Sequence, residues 1–597
     1  MTFTSPPSFT TRPTLTGTFG MSASTHWLAT ATAQAVLERG GNAFDAVVAG
    51  GFVLHLAEPH LNGPGGDLVG IFATADAPGS PVVLAGQGPA PAGATIPRFR
   101  AEGLDLVPGA GGLAAAVPGA VDAWLLLLRD HGTWELGDVL AYAIGYARDG
   151  IPLVAQAVAT IERVADLFRD HWASSAELWL RGGRAPEPGA LFRNPAYADV
   201  LDGLTHAACA VRDDGPVGRA ARIDAARHEW KSGLVARAAS AFLSRPHRHA
   251  TGGDHSGVIT PEDFAAFDAG YEDAVAVRFR GAVVAKAGAW TQGPALLEAL
   301  RILEPLPDAD LDPSSERGAH AIVEALKLAL ADRDAHFGDG ADVDVLLTDE
   351  TAASRRAQIG DTASSEWRPT SIPGRKAYRP ALRTGEAGES GLGEPTVDRS
   401  GGTRGDTCHI DVADRWGNVV SVTPSGGWLQ SSPTIPELGF CLGTRLQMTW
   451  LDEDAPSALR PGRRPRTTLT PTLVLRGTET IALGTPGGDQ QEQWQLPVIL
   501  RMLVGGWSAQ QAIDAPTLHT TALVDSFWPR TWDPSGVVVE DRLGDDVIAG
   551  LRRRGHVVTR AGAWTLGRVS AVGRDAATGV LWSAANPRGM QGYAAGR

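Results

Sequence analysis

Cysteine is scarce in this chain: among 597 residues only Cys209, Cys408 and Cys441 occur. An odd, small number builds no disulfide framework and fits a reducing compartment. Basic runs are missing as well. With a net charge of −14 and no Lys/Arg block, the chain presents no nucleic-acid surface. The longest apolar runs, near residues 46–56 and 123–128, are too short to span a bilayer. Residues 1–20 are rich in Thr, Ser and Pro and lack a basic start or an apolar h-region. No secretory signal is therefore expected, the expected compartment is the cytoplasm, and no membrane partner is expected. The glycine-rich stretch Asn62-Gly63-Pro64-Gly65-Gly66-Asp67 has neither Walker spacing nor a following lysine. It reads as a tight turn where backbones approach closely, not as a phosphate loop. His247, His249 and His255 resemble a metal cluster, but they fall in a polar, Gly-rich stretch with no ordered element to fix them. A solvated loop is expected there, with no metal.

What is present is an ordinary globular composition, 43% hydrophobic and 20% charged, with 72 glycines and 40 prolines that imply many turns. Apolar spacing predicts a helix over residues 27–39, and a second, very apolar one capped by Asn42 and running to about residue 56. A strand is expected over 68–74, and further helices over 119–129 (Pro118 at its first position), 136–148 and 154–169. Thr260-Pro261-Glu262-Asp263 reads as a capped helix start, and residues 316–336 as a long amphipathic helix. From 355 to 406 periodicity disappears and Ser, Gly, Pro, Arg and Glu dominate, as in a linker or surface excursion. Beyond it the chain turns strand-rich, with 407–412 and 419–423 as a hairpin and 469–475 with 481–484 as a second pair. A helix opening at Pro486 runs to about 503, and short strands follow at 556–560, 569–573 and 580–585. Strands and long helices without regular βαβ alternation predict a layered α/β (α+β) fold of stacked sheets covered by helices, not a Rossmann sheet.

The junction of linker and strand, Gly405-Asp406-Thr407-Cys408-His409, carries the chemistry. A threonine hydroxyl is a weak nucleophile until a base takes its proton. Cleavage between Asp406 and Thr407 would expose the threonine's own α-amine, whose pKa near ~8 suits that role. Read alone, the string is short and frequent, and a threonine in a strand is unremarkable. A cysteine mechanism through Cys408 and His409 is disfavoured, since neighbours on a strand point to opposite faces.

Motifs along nearly the whole chain are similar to the γ-glutamyltranspeptidase family. They are Gly41-Asn42-Ala43-Phe44-Asp45-Ala46, Glu58-Pro59-His60 with Gly63-Pro64-Gly65-Gly66, and Val117-Pro118-Gly119-Ala120-Val121. Ile259-Thr260-Pro261-Glu262-Asp263-Phe264, Pro461-Gly462-Arg463-Arg464-Pro465 to Thr472, Gly484-Thr485-Pro486-Gly487-Gly488 and Asn586-Pro587-Arg588 follow in the family's order. The resemblance implies an αββα sandwich of the amino-terminal-nucleophile hydrolase type, made as a zymogen and cut autocatalytically. Residues 1–406 would form the large subunit, with 355–406 as the linker, and 407–597 the small one, held together as a heterodimer. Thr407 matches the catalytic threonine, and Ser425 falls where a second hydroxyl bonds it. Gly487 and Gly488 match the pair whose N–H groups form the oxyanion hole; a simple turn is the competing reading. No metal or organic cofactor is implied.

The donor grip departs from the pattern. An asparagine becomes Gly427, a glutamine becomes Arg445, an aspartate becomes Met448, and a serine pair becomes Thr467-Thr468. The family's carboxylate-binding arginine falls at Ile96, with Arg98 and Arg100 close by. Loss of the aspartate removes a charge-assisted partner worth about 1.5–3 kcal/mol from a donor ammonium. Arg445 and Arg98 then suit a substrate carrying a carboxylate without the amine, or alternatively pair with structural acids. Trp428 supplies an apolar wall or packs in the core. The expected activity is that of an amide hydrolase or acyltransferase on a small, peptide-like amide, with altered donor specificity. The alternatives are true γ-glutamyl transfer with glutathione hydrolysis, and an uncleaved, non-catalytic binding homologue.

Overall fold

Successive side chains of a strand face opposite ways, and the two strands around the turn at Arg415–Asn418 use both faces. Ile410, Val412, Val420 and Val422 pack among helical residues such as Phe44, Val48 and Phe52. Ala413 and Val419 face the other way and meet Leu473, Ala482 and Val572. Both strands are buried along their whole length, so this sheet is covered on both sides.

The computed structural model describes residues 3–212, 215–384 and 407–597. It stacks two seven-stranded sheets face to face, every pairing within them antiparallel. The first runs Tyr593–Gly596, Gly20–Ser24, Ile410–Asp414, Val419–Ser425, Asp67–Thr74, Ala77–Gly86, Gly270–Asp273. The second runs Leu15–Gly17, Leu581–Ala585, Ser570–Asp575, Glu479–Gly484, Thr472–Arg476, Ala282–Lys286, Val275–Phe279. Helices Trp27–Glu38, Ala43–Ala57 and Ala120–His131 cover the first sheet, and Gly293–Leu303, Glu316–His336 and Gln491–Leu503 the second. The arrangement is the αββα sandwich. Both sheets combine strands from before residue 385 and after residue 406, so neither part can bury its apolar faces without the other.

Local signals mostly hold. Asn42 caps Ala43–Ala57 with a reciprocal capping box to Asp45, and all fifteen helical residues are buried. Thr260 and Asp263 form the same device at Pro261–Ala265. Ala120–His131 starts later than expected, with Gly119 as cap, leaving Pro118 before the helix. Glu316–His336 has the predicted bounds but is not amphipathic: from Gly318 to His336 every residue is buried. One face meets the helix layer, another the small sheet around Val537 and Val539, and Ala331 and Ala335 lie under Trp367. Its charges are therefore paired inside the protein.

The stretch from 355 differs from a free linker. Helix Asp349–Arg356 runs into it, and Trp367 and Tyr378 dock it, Tyr378 against Trp450. Residues 385–406, including Asp406, lie outside the described residues. His247 and His255 sit on a small hairpin, Pro246–Arg248 with Asp254–Ser256. His249 is buried there, its Nε2 accepting from Leu113 N–H at 2.9 Å. Among the described residues no His/Cys/Asp/Glu group could hold a metal ion, and no helix is long and apolar enough to cross a membrane.

Candidate active site

Thr407 lies just ahead of the Ile410–Asp414 strand and joins Ser425 through a single antiparallel bridge. Cys408 N–H donates to Pro424 O at 2.9 Å, which continues the ladder. The Thr407 hydroxyl donates to Ser425 Oγ at 3.4 Å, and Thr407 is 1% exposed. Alternation then sorts the neighbours. Cys408 turns to the helices, its Sγ 3.2 Å from Glu58 Oε2 and 3.1 Å from Asn62 Nδ2. Burial, reinforced by Glu58, pushes this thiol well above its ordinary pKa, which keeps it unreactive. His409 turns into the space between the sheets, bonded to Thr423 Oγ1 and Asp411 Oδ1 at 2.8 Å each. The two side chains do not meet.

The second sheet delivers the glycine turn. Ser421 Oγ reaches Leu483 O at 3.4 Å, and a Cβ on Gly484 would sit 2.2 Å from the His409 ring. Glycine at 484 is thus what lets the end of Glu479–Gly484 lie against the strand that follows Thr407. Gly487 and Gly488 adopt φ values of 123° and 53°, open to glycine at little cost. At Gly487 a Cβ would also strike the Trp494 ring at 2.2 Å. The chain then makes a tight turn over Gly488–Gln490 before Gln491–Leu503, so N–H groups at a helix start lie at this turn. Such N–H groups favour negative charge. Thr467 and Thr468 are fully buried, and Gln292 Nε2 bridges Thr468 O (3.2 Å) and Gly488 O (2.9 Å).

Beside the hydroxyl pair lies a buried ion pair. Asp67 stands opposite Ser425 in the sheet register. Arg445 Nη2 donates to Asp67 Oδ1 at 2.8 Å, and Nε lies 2.8 Å from Oδ2. The guanidinium also spans the Trp428 ring, 5.5 Å from its centroid, and Nη1 sits 3.5 Å from Met448 Sδ. Burial raises the Asp67 carboxyl above its ordinary pKa, with Arg445 opposing that rise. Trp428 is fully buried and donates its indole N–H to Leu61 O at 2.6 Å.

Gly427 is held at φ 64°, and a Cβ there would lie 2.8 Å from Gly66 N and 3.0 Å from Gly65 C. The glycines of the Gly63–Gly66 turn and Gly427 therefore form one close backbone contact. Gly427→Asn should cost about 1–3 kcal/mol by overpacking, seen as a lowered calorimetric midpoint, without gaining γ-glutamyl turnover. Arg98 takes the alternative the sequence left open, pairing with an acid of its own chain. Its side chain is 46% exposed and pairs with Glu102 at 2.6 Å. Sequence reasoning passed over Asp67, Gln292, Arg333 and Asp489; the one available hint was a carboxylate closing the glycine-rich motif at Asp67.

A family model described as Gamma-glutamyltranspeptidase matches residues 29–596. The chain belongs to the γ-glutamyltranspeptidase family. The solved structure "Structure of LmbA2991HD" has a TM-score of 0.92 and 52% identity, covering 99% of this chain and 100% of that one. The Glutathione hydrolase-like YwrD proenzyme of Bacillus subtilis (strain 168) is 30% identical, over 96% of this chain and 98% of its own length. The Oxamate amidohydrolase proenzyme of Klebsiella pneumoniae is also 30% identical, over 97% and 98% respectively. As a member of this family the chain falls in the class of proenzyme amide hydrolases and acyltransferases.

Proposed function

We propose that this family member is an autoprocessing amide hydrolase that uses Thr407 as an amino-terminal nucleophile on small amides bearing a carboxylate. The observation that carries this reading is the buried Thr407–Ser425 hydroxyl pair, ahead of a strand whose His409 ring lies against Gly484, three residues before a glycine turn at a helix start. After cleavage of the 406–407 bond, the α-amine of Thr407 takes the Oγ proton as Oγ bonds the substrate carbonyl carbon. The oxyanion is held by the Gly487 and Gly488 N–H groups. Collapse breaks the C–N bond, the leaving amine takes the proton, and an ester on Thr407 remains. Water repeats the cycle and releases the acid.

Arg445 supports the carboxylate preference. Its guanidinium stands beside the hydroxyl pair with Asp67 bound to it, and Met448 offers a donor ammonium no counter-charge. Oxamate, named in one relative, bears a carboxylate next to its amide and no amine. A screen of carboxylated amides against the purified protein tests the substrate class. The wild-type chain should run as two fragments on a denaturing gel, the smaller beginning at Thr407 by mass. Intact chain that nonetheless hydrolyses amides rules out this mechanism, and intact, inactive chain favours the non-catalytic homologue. The name of the YwrD relative favours a second reading, true γ-glutamyl chemistry. Fast turnover of a chromogenic γ-glutamyl anilide would establish it.

A further inference from the structure

The glycine turn keeps its shape through three carbonyls tied locally, one of which is also tied to a distant element. Pro486 O accepts from Thr485 Oγ1 at 2.8 Å, and Gly487 O accepts from Gln490 N–H at 2.9 Å. The third, Gly488 O, accepts from Gln491 N–H and, across the fold, from Gln292 Nε2 at 2.9 Å, whose residue caps the distant helix Gly293–Leu303. Because a trans peptide points its N–H opposite its C=O, Pro486 O and Gly487 O set the aim of the Gly487 and Gly488 N–H groups. The Gln292 bond to Gly488 O holds the adjoining 488–489 peptide and so the C-terminal end of the glycine pair. Glycine has no side chain to hold that aim by itself.

Gln292 is oriented in turn. Its Oε1 accepts from Arg333 Nη1 at 2.9 Å. Arginine has only donors, so the amide oxygen must face Arg333 and the NH2 must face Thr468 O and Gly488 O. Arg333 is wholly buried and fully engaged: Asp334 lies 3.0 and 2.9 Å from Nε and Nη2, Val524 O accepts from Nη2 at 2.9 Å, and Asp489 accepts from Nη1. Asp489 directly follows the glycine pair and accepts from Ser526 N–H (2.8 Å) and Ser526 Oγ (2.5 Å). Burial alone would raise the Asp489 carboxyl, yet Arg333 and Arg466 hold it below its ordinary value.

We propose that Gln292, oriented by the Arg333–Asp489 pair, is a positioning residue that sets the Gly487–Gly488 turn for oxyanion capture. The catalytic part of this inference rests on the amidase reading above; the anchoring of the turn does not. Two variants separate the possibilities. Gln292→Met keeps the volume and loses both hydrogen-bonding ends. Gln292→Glu keeps an oxygen for Arg333 and replaces the donor to the two carbonyls by a charged acceptor oxygen. Both should speed hydrogen exchange in the 484–490 segment while protection elsewhere stays as in wild type. Both should also lower kcat about 10- to 100-fold with KM changed less than about threefold. Unchanged exchange at 484–490 in Gln292→Glu overturns the proposal, as does a wild-type kcat in a variant whose turn exchanges faster. If wild-type protein hydrolyses no amide, the amidase reading alone fails and the exchange measurement decides the anchoring. If Gln292→Met does not fold, Gln292→Glu carries the test.

Discussion

Thr407→Ala is expected to remain a single 597-residue chain and to lose amide turnover by about 10⁴-fold or more. The substitution removes the hydroxyl that would attack both the 406–407 bond and the substrate, while the surrounding ladder keeps its backbone bonds. Thr407→Ser should retain cleavage and part of the turnover, because a hydroxyl and a new α-amine survive. In the processed wild type, kcat/KM should rise with pH through about 7.7–8.0, as the α-amine gives up its proton and becomes able to act as base. A gel and intact mass read the cleavage, and a pH–rate profile reads the base. Full processing of Thr407→Ala would place the nucleophile elsewhere.

Arg445→Met is expected to destabilise the protein by about 3–5 kcal/mol, because it strands the Asp67 carboxylate without its cation. Asp67 is buried and its pKa already lies above the ordinary carboxylate value, with Arg445 opposing the rise. The sign follows from linkage. A carboxyl with a raised folded pKa contributes stability in acid that is lost as pH rises through the folded value. Without Arg445 that value climbs further, so the deficit against wild type should grow from acid toward neutral pH. Asp67→Asn combined with Arg445→Met should recover most of the loss, since no buried charge then remains unpaired. Denaturant unfolding at two pH values checks both statements, and a deficit independent of pH would remove Asp67 as its cause. The single variant should also lose its preference for carboxylated amides, which links the pair to substrate choice.

The sequence by itself determined the local elements and the order of the motifs. The Asn42 cap, the Thr260-Pro261 helix start and the bounds of Glu316–His336 follow from short-range rules of hydrogen bonding and dihedral preference. Strand alternation around Thr407 likewise predicted that Cys408 and His409 point apart. Only the tertiary structure decided which charges meet. Asp67 and Arg445 are 378 positions apart, and Arg333 and Asp489 are 156 apart. Along the chain, a charge destined for a buried partner looks the same as one destined for water. That is why Glu316–His336 reads as amphipathic although it is buried almost throughout. The same holds for Gln292, whose amide acquires a role only where a helix start, an arginine and a glycine carbonyl converge. Backbone preferences act over a few residues, whereas desolvated charge pairing depends on which surfaces the fold brings together.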